Sequence, residues 1–174
     1  MEISLLQKIF TPVHNCEMVV NQICELLNVS VSRSSIKKDI EEHPDFSSLL
    51  SVSDVLNNFG IETLSIKINK CQIKKLPTPF IAQVKRKREL FIVIKEIIGT
   101  TVNCFNPDTL KYEIKDFKIF ESQFTGVVLL AKAGENAGEK DYKKHLWEEK
   151  RQTLTNILTV TAIPIFTLLI CCFT

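Results

Sequence analysis

"HPDFSSLLSVSDVLNNFGIET", residues 43–63, carries the switch on which the fold turns, because its apolar period is helical before Gly60 and twofold after it. Pro44 disfavours a helical His43, since the proline ring crowds the preceding residue. Asp45, Ser47 or Ser48 then offers a side-chain oxygen to the free N–H groups of a helix start. Leu49, Val52, Leu56 and Phe59 follow at intervals of three and four and line one face. Gly60 supplies the left-handed residue that ends such a helix. Beyond it, "ETLSIKI" alternates, which predicts a strand with Leu64, Ile66 and Ile68 turned inward.

The same two periods extend outward from this stretch. Upstream, "CEMVVNQICELL" at 16–27 sets Val19, Val20, Ile23, Cys24 and Leu27 at helical spacing, and "SSIKKDIEEH" predicts a shorter helix with Ile36 and Ile40 four apart. Downstream, "PFIAQV", "ELFIVIKEI", "TVNCF" and "KYEI" are β-rich and separated by turn chemistry. The short "DFKIFESQF" segment and a final "TGVVLLA" strand close the domain. The expected class is α+β, with N-terminal helices packed on an antiparallel sheet. "KRKR" at 85–88 reads as a solvated hairpin loop, with an acidic partner or lipid head groups as the alternative use of its charge.

Composition sets bounds on function. The 174 residues suffice for one domain with a real core, and a net charge of +2 gives no argument for a nucleic-acid partner. The six cysteines contain no CxxC pair and fall on unlike elements, which suits reduced thiols better than a disulfide framework. Three isolated histidines supply no metal-ligand spacing, so neither a metal nor another cofactor is expected. No phosphate-cradling glycine loop is present, which excludes the ATPase half of a transporter. "MEISLLQKIF" lacks a basic region followed by a long apolar stretch, so no signal peptide is expected.

The C-terminus has a different character. Residues 152–174 contain no charge, and "LTNILTVTAIPIFTLLICCF" is about the length that crosses a hydrocarbon core. "EKDYKKHLWEEKR" precedes it, with five Lys/Arg and a Trp at the expected interface. Basic flanks tend to stay cytoplasmic. The sequence therefore divides into a domain at 1–132, a polar basic linker at 133–151 and a single transmembrane helix at 152–174, with the N-terminal domain on the cytoplasmic face.

"NC" at 15–16, the stretch at 43–63, "LPTPFIAQV", "FIVIKEI", "CFNP" and "FTGVVLLAKAGENAGEKDYK" occur in an order that resembles the peptidase C39 domain, the papain-like module of bacteriocin-processing transporters. The resemblance is closer still to the C39-like domains that precede vitamin K epoxide reductase-type membrane domains in Bacteroides-group bacteria. It runs from about Cys16 to Lys132. It implies a papain-like cysteine peptidase fold in which the 43–63 helix is a core helix crossing the sheet.

The resemblance also implies a site, and this chain keeps only part of it. The nucleophile position of the family's Gln-x4-Asp-Cys pattern falls on Cys16, where a helix N-terminus would lower the thiol pKa. The alternative reading of Cys16 is a small half-buried apolar residue. The oxyanion glutamine position is Phe10, with Gln7 three residues further away. The histidine position falls on Glu89 or Leu90, and the orienting aspartate position on Asn106, followed by Pro107. His14, His43 and His145 do not fit as replacements. His14 is two residues from Cys16 and points to another side of a helix start, His43 sits in a turn, and His145 belongs to the segment flanking the span.

Degenerate C39 domains hold an unprocessed peptide in the old substrate cleft. The resemblance thus implies a non-catalytic domain whose partner is a peptide or leader segment. The enzyme-class alternative is an active cysteine peptidase that trims leader peptides. A third reading is an accessory module for a membrane thiol-redox or transport partner.

Overall fold

The computed structural model describes residues 15–86 and 89–172, with side chains as far as Ile157 in the last helix. Gln7, Phe10, His14, Lys87 and Arg88 lie outside the described residues. The chain forms two compact units, residues 1–139 and 140–174.

In the first unit three helices come first. Helix α1, Asn15–Leu26, buries Val19, Val20, Ile23 and Cys24, while Leu27 beyond its end is partly buried. Helix α2, Arg33–Glu41, starts at Ser32, whose side chain accepts from Ser35 N, and buries Ile36 and Ile40. Helix α3, Leu49–Asn58, is the one inside the 43–63 stretch. Of the three capping candidates it uses Ser48, which accepts from Ser51 N at 3.1 Å. Val52, Leu56 and Phe59 are buried and Leu49 partly so. Gly60 ends the helix at φ +75°, its N–H donating to Asn57 O at 2.9 Å.

Six strands follow: β1 Ile61–Lys67, β2 Phe80–Lys85, β3 Glu89–Ile98, β4 Thr101–Asn106, β5 Lys111–Asp116 and β6 Phe124–Ala133. They form one sheet in the order β1-β6-β2-β3-β4-β5, and every neighbouring pair is antiparallel. A 3-10 turn, Lys70–Lys75, and a short helix α4, Phe117–Gln123, complete the unit. "DFKIFESQF" is this helix, started by Asp116, whose carboxylate accepts from Lys118 N at 2.7 Å.

Strand alternation divides the core in two. Ile81, Phe91, Val93, Phe105 and Leu129 face α1, α2 and α3. Ala82, Leu90, Ile92, Ile94 and Cys104 face the other way, against Ile73 of the 3-10 turn and Phe117 and Phe120 of α4. The α+β architecture is the expected one. One strand departs from it: Leu64 is not inward but 58% exposed. Ile66 and Ile68 are only partly buried, against the second cluster, and Ile61 is the fully buried residue of β1. Period two assigns residues to faces, but β1 is an edge strand with a neighbour on one side only.

Part of the segment read as linker docks on the domain. Gly134 N–H donates to Gly60 O (3.0 Å), Gly138 N–H to Phe59 O (2.9 Å) and Glu139 N–H to Ser30 O (2.9 Å). The Glu139 carboxylate accepts from Ser32 N (2.7 Å), Ser32 Oγ (3.1 Å) and Ser35 Oγ, all at the start of α2. A side chain at 134 would not fit, because its Cβ would stand 2.8 Å from Gly60 O.

The second unit is helix α5, Tyr142–Cys172. Among the described residues no helix is long and apolar enough to cross a membrane. Most of the transmembrane helix expected at 152–174 lies outside this statement, because the side chains beyond Ile157 are outside the described residues.

Candidate functional site around Cys16

Cys16 sits in the first turn of α1, with only 1% of its surface exposed. Its Sγ donates to Ser48 O at 3.9 Å, the carbonyl that also accepts from Ser51 Oγ at 2.8 Å. The cap of α3 thus touches the candidate nucleophile. Burial pushes the Cys16 thiol up to about 11, against a smaller lowering by Ser51. The helix N-terminus was expected to lower this pKa; desolvation reverses the direction.

Asn15 holds this turn in place. Its Nδ2 donates to Phe91 O and its Oδ1 accepts from Phe91 N, both at 2.9 Å. The β3–β4 register pairs Val93 with Phe105, so its continuation would set Phe91 opposite Pro107, which has no N–H to offer. An amide side chain carries both a donor and an acceptor and can satisfy both groups of a strand residue. Sequence reading missed this role of Asn15, although Pro107 at the end of a strand was the available signal.

Leu90 and Cys16, two of the residues assigned from the resemblance, belong to different clusters. Leu90, one of the two residues assigned to the histidine position, is buried in the cluster facing α4, whereas Cys16 belongs to the cluster under α1 to α3. A histidine placed at 90 would enter an apolar layer on the far side of the sheet. Glu89 is exposed and accepts from Gln83 Nε2 at 3.1 Å. Phe91 and Val93 are the β3 residues that share a cluster with Cys16.

Asn106 is buried and turned to other work. Its Nδ2 donates to Glu113 Oε1 at 2.7 Å, and its Oδ1 accepts from Asp108 N at 3.1 Å. The side chain therefore locks the β4–β5 turn. Burial would raise the Glu113 carboxyl, but hydrogen bonds from Lys115, Asn106 and Thr109 and the Lys115 charge outweigh it and hold it at about 2.

No described histidine bonds Cys16. His43 lies between Asp54 Oδ2, 3.2 Å from its Nε2, and Asp45 N, which donates to its Nδ1 at 3.0 Å. With Nδ1 accepting, Nε2 carries the proton and donates to Asp54. His145 belongs to the second unit. Among the described residues no group of three or more His, Cys, Asp or Glu side chains could hold a metal ion. Chemically, the described site offers a protonated, buried thiol on one backbone acceptor, Ser48 O, and no histidine to return a proton to a leaving amine among the described residues.

The sequence matches the family model of the peptidase C39 family over residues 16–136. A comparison with curated proteins finds no match. Among solved structures, the peptidase domain of Streptococcus ComA, a bi-functional ABC transporter involved in a quorum-sensing pathway, superposes with a TM-score of 0.62 at 19% identity, covering 71% of this chain and 95% of that one. A double glycine motif protease from an AMS/PCAT transporter, in complex with the leader peptide, gives 0.61 at 20% identity and covers 71% and 89%. The N-terminal peptidase C39 like domain of the toxin secretion ATP-binding protein from Vibrio parahaemolyticus gives 0.59 at 11% identity, covering 71% and 100%. At these identities the likeness is one of fold.

Proposed function

The chain belongs to the peptidase C39 family, and on that premise we propose that it holds a peptide segment without cleaving it. One observation carries the reading: Cys16 is buried, its thiol is held up at about 11, and it donates to Ser48 O with no histidine in reach among the described residues. Cysteine peptidases attack as the thiolate and return a proton to the leaving amine. A thiol of this pKa is ionised in about one molecule in ten thousand at neutral pH. Without an imidazole, the tetrahedral adduct collapses back to substrate.

The peptide part of the proposal draws on a neighbour. The AMS/PCAT protease of the same fold was crystallised with its leader peptide. A double-glycine leader is accordingly the probe. The full chain, mixed with a fluorescently labelled leader, should raise its anisotropy saturably, while mass spectrometry finds the peptide intact. Cleavage that disappears in Cys16→Ala would make the domain an enzyme, and an absence of binding would remove the peptide reading.

A further inference from the structure

β5 closes one edge of the sheet. Phe117 N–H donates to Thr100 O (2.7 Å) at the head of the β4–β5 register. By strand alternation the odd residues of β5 bond β4; Tyr112 and Ile114 turn their N–H and C=O groups outward and Asp116 its N–H, the Asp116 C=O being the first acceptor of α4. Four of the six residues of β5 are charged, but with both signs, Lys111 and Lys115 against Glu113 and Asp116. The edge contains no proline, and the β4–β5 register is free of bulges. Its central side chain, Ile114, is 75% exposed, and Tyr112 is 41% exposed.

We propose that β5 pairs antiparallel with β5 of a second copy of this chain, about a twofold axis at Ile114. That register sets Ile114 against Ile114 and Tyr112 against Asp116 on both sides. With the Asp116 C=O kept by α4, about four hydrogen bonds form, two between the Ile114 residues and two from Asp116 N–H to Tyr112 O, and no existing one breaks. It also sets Glu113 against Lys115 in each direction. These fall in the closely approaching pairs, so opposite charges meet where the strands are nearest. A twofold axis one residue earlier, at Glu113, would instead oppose Lys111 and Lys115. Charge thus selects the register centred on Ile114. A six-residue edge buries little surface, so the dimer is weak and depends on concentration.

Sedimentation equilibrium of the full chain should give a weight-average mass that rises from one copy toward two with concentration. Ile114→Lys places like charges on the axis and should restore the monomer with an unchanged melting temperature. Register is read by oxidative cross-linking with copper phenanthroline in a Cys71→Ala, Cys171→Ala, Cys172→Ala background. Ile114→Cys should cross-link two copies, and Tyr112→Cys should not. A monomer up to about 1 mM, the millimolar limit of weak specific association, overturns the proposal. So does a dimer that survives Ile114→Lys, or cross-linking at 112 as ready as at 114.

Discussion

Cys16 and Asn106 are decided by their surroundings more than by their residue types. The resemblance assigns catalytic roles to both, yet one is desolvated under α3 and the other is spent on the β4–β5 turn. The Cys16 thiol is therefore expected to label with iodoacetamide at least about 100-fold more slowly than exposed Cys71 in the native chain at pH 8, by its smaller thiolate fraction and its burial. Peptide mass mapping reads this, and comparable rates at the two sites would contradict the burial. The same shift has a pH consequence. The folded thiol titrates near 11 against 9.0 for a free thiol, so its contribution to stability is present below pH 9 and is lost as pH rises toward 11. Glu113 runs the other way: with its carboxyl lowered to about 2, its contribution is present above pH 4.5 and is lost as pH falls through 2.

At the scale of elements, α3 joins fold to site. Its cap residue Ser48 starts the helix and presents the carbonyl that receives Cys16, while Val52 and Leu56 fill the core beneath. Leu56→Ala should cost on the order of 2–5 kcal/mol in denaturant unfolding, as fully buried leucines do. A loss below about half a kcal/mol would place the residue outside a packed core. Ser48→Ala should cost about 1 kcal/mol by removing the cap. Because it leaves the carbonyl in place, iodoacetamide labelling of Cys16 should not accelerate in the folded state.

At the scale of the molecule, the first unit ends at Glu139. The strap at 134–139 closes over the end of α3 and caps α2 through Glu139. A chain cut after Lys132 should therefore melt several degrees lower than one cut after Glu139, since each lost cap or buried hydrogen bond costs about 1 kcal/mol. Equal melting temperatures would make the strap a passive linker. For residues 152–174 we keep the membrane span as a proposal from sequence alone. Its check is fractionation: alkaline carbonate should leave the full chain in the membrane pellet, and release into the supernatant would refute the span.

The sequence by itself determined the helices, the strands and the point where one gives way to the other, because periods of 3.6 and two are written in consecutive residues around Gly60. The resemblance also assigned the family's positions to Cys16, to Glu89 or Leu90 and to Asn106, through short motifs in order. Only the tertiary structure decided what those residues do. Desolvation of Cys16 depends on α3, 32 residues away in sequence, and the bond from Asn15 to Phe91 spans 76 residues. The exposure of Leu64 likewise depends on β1 lying at the sheet edge, which its own alternation does not encode. A face can be read from local spacing, but burial, pKa and partnership are properties of whatever the rest of the chain brings against that face.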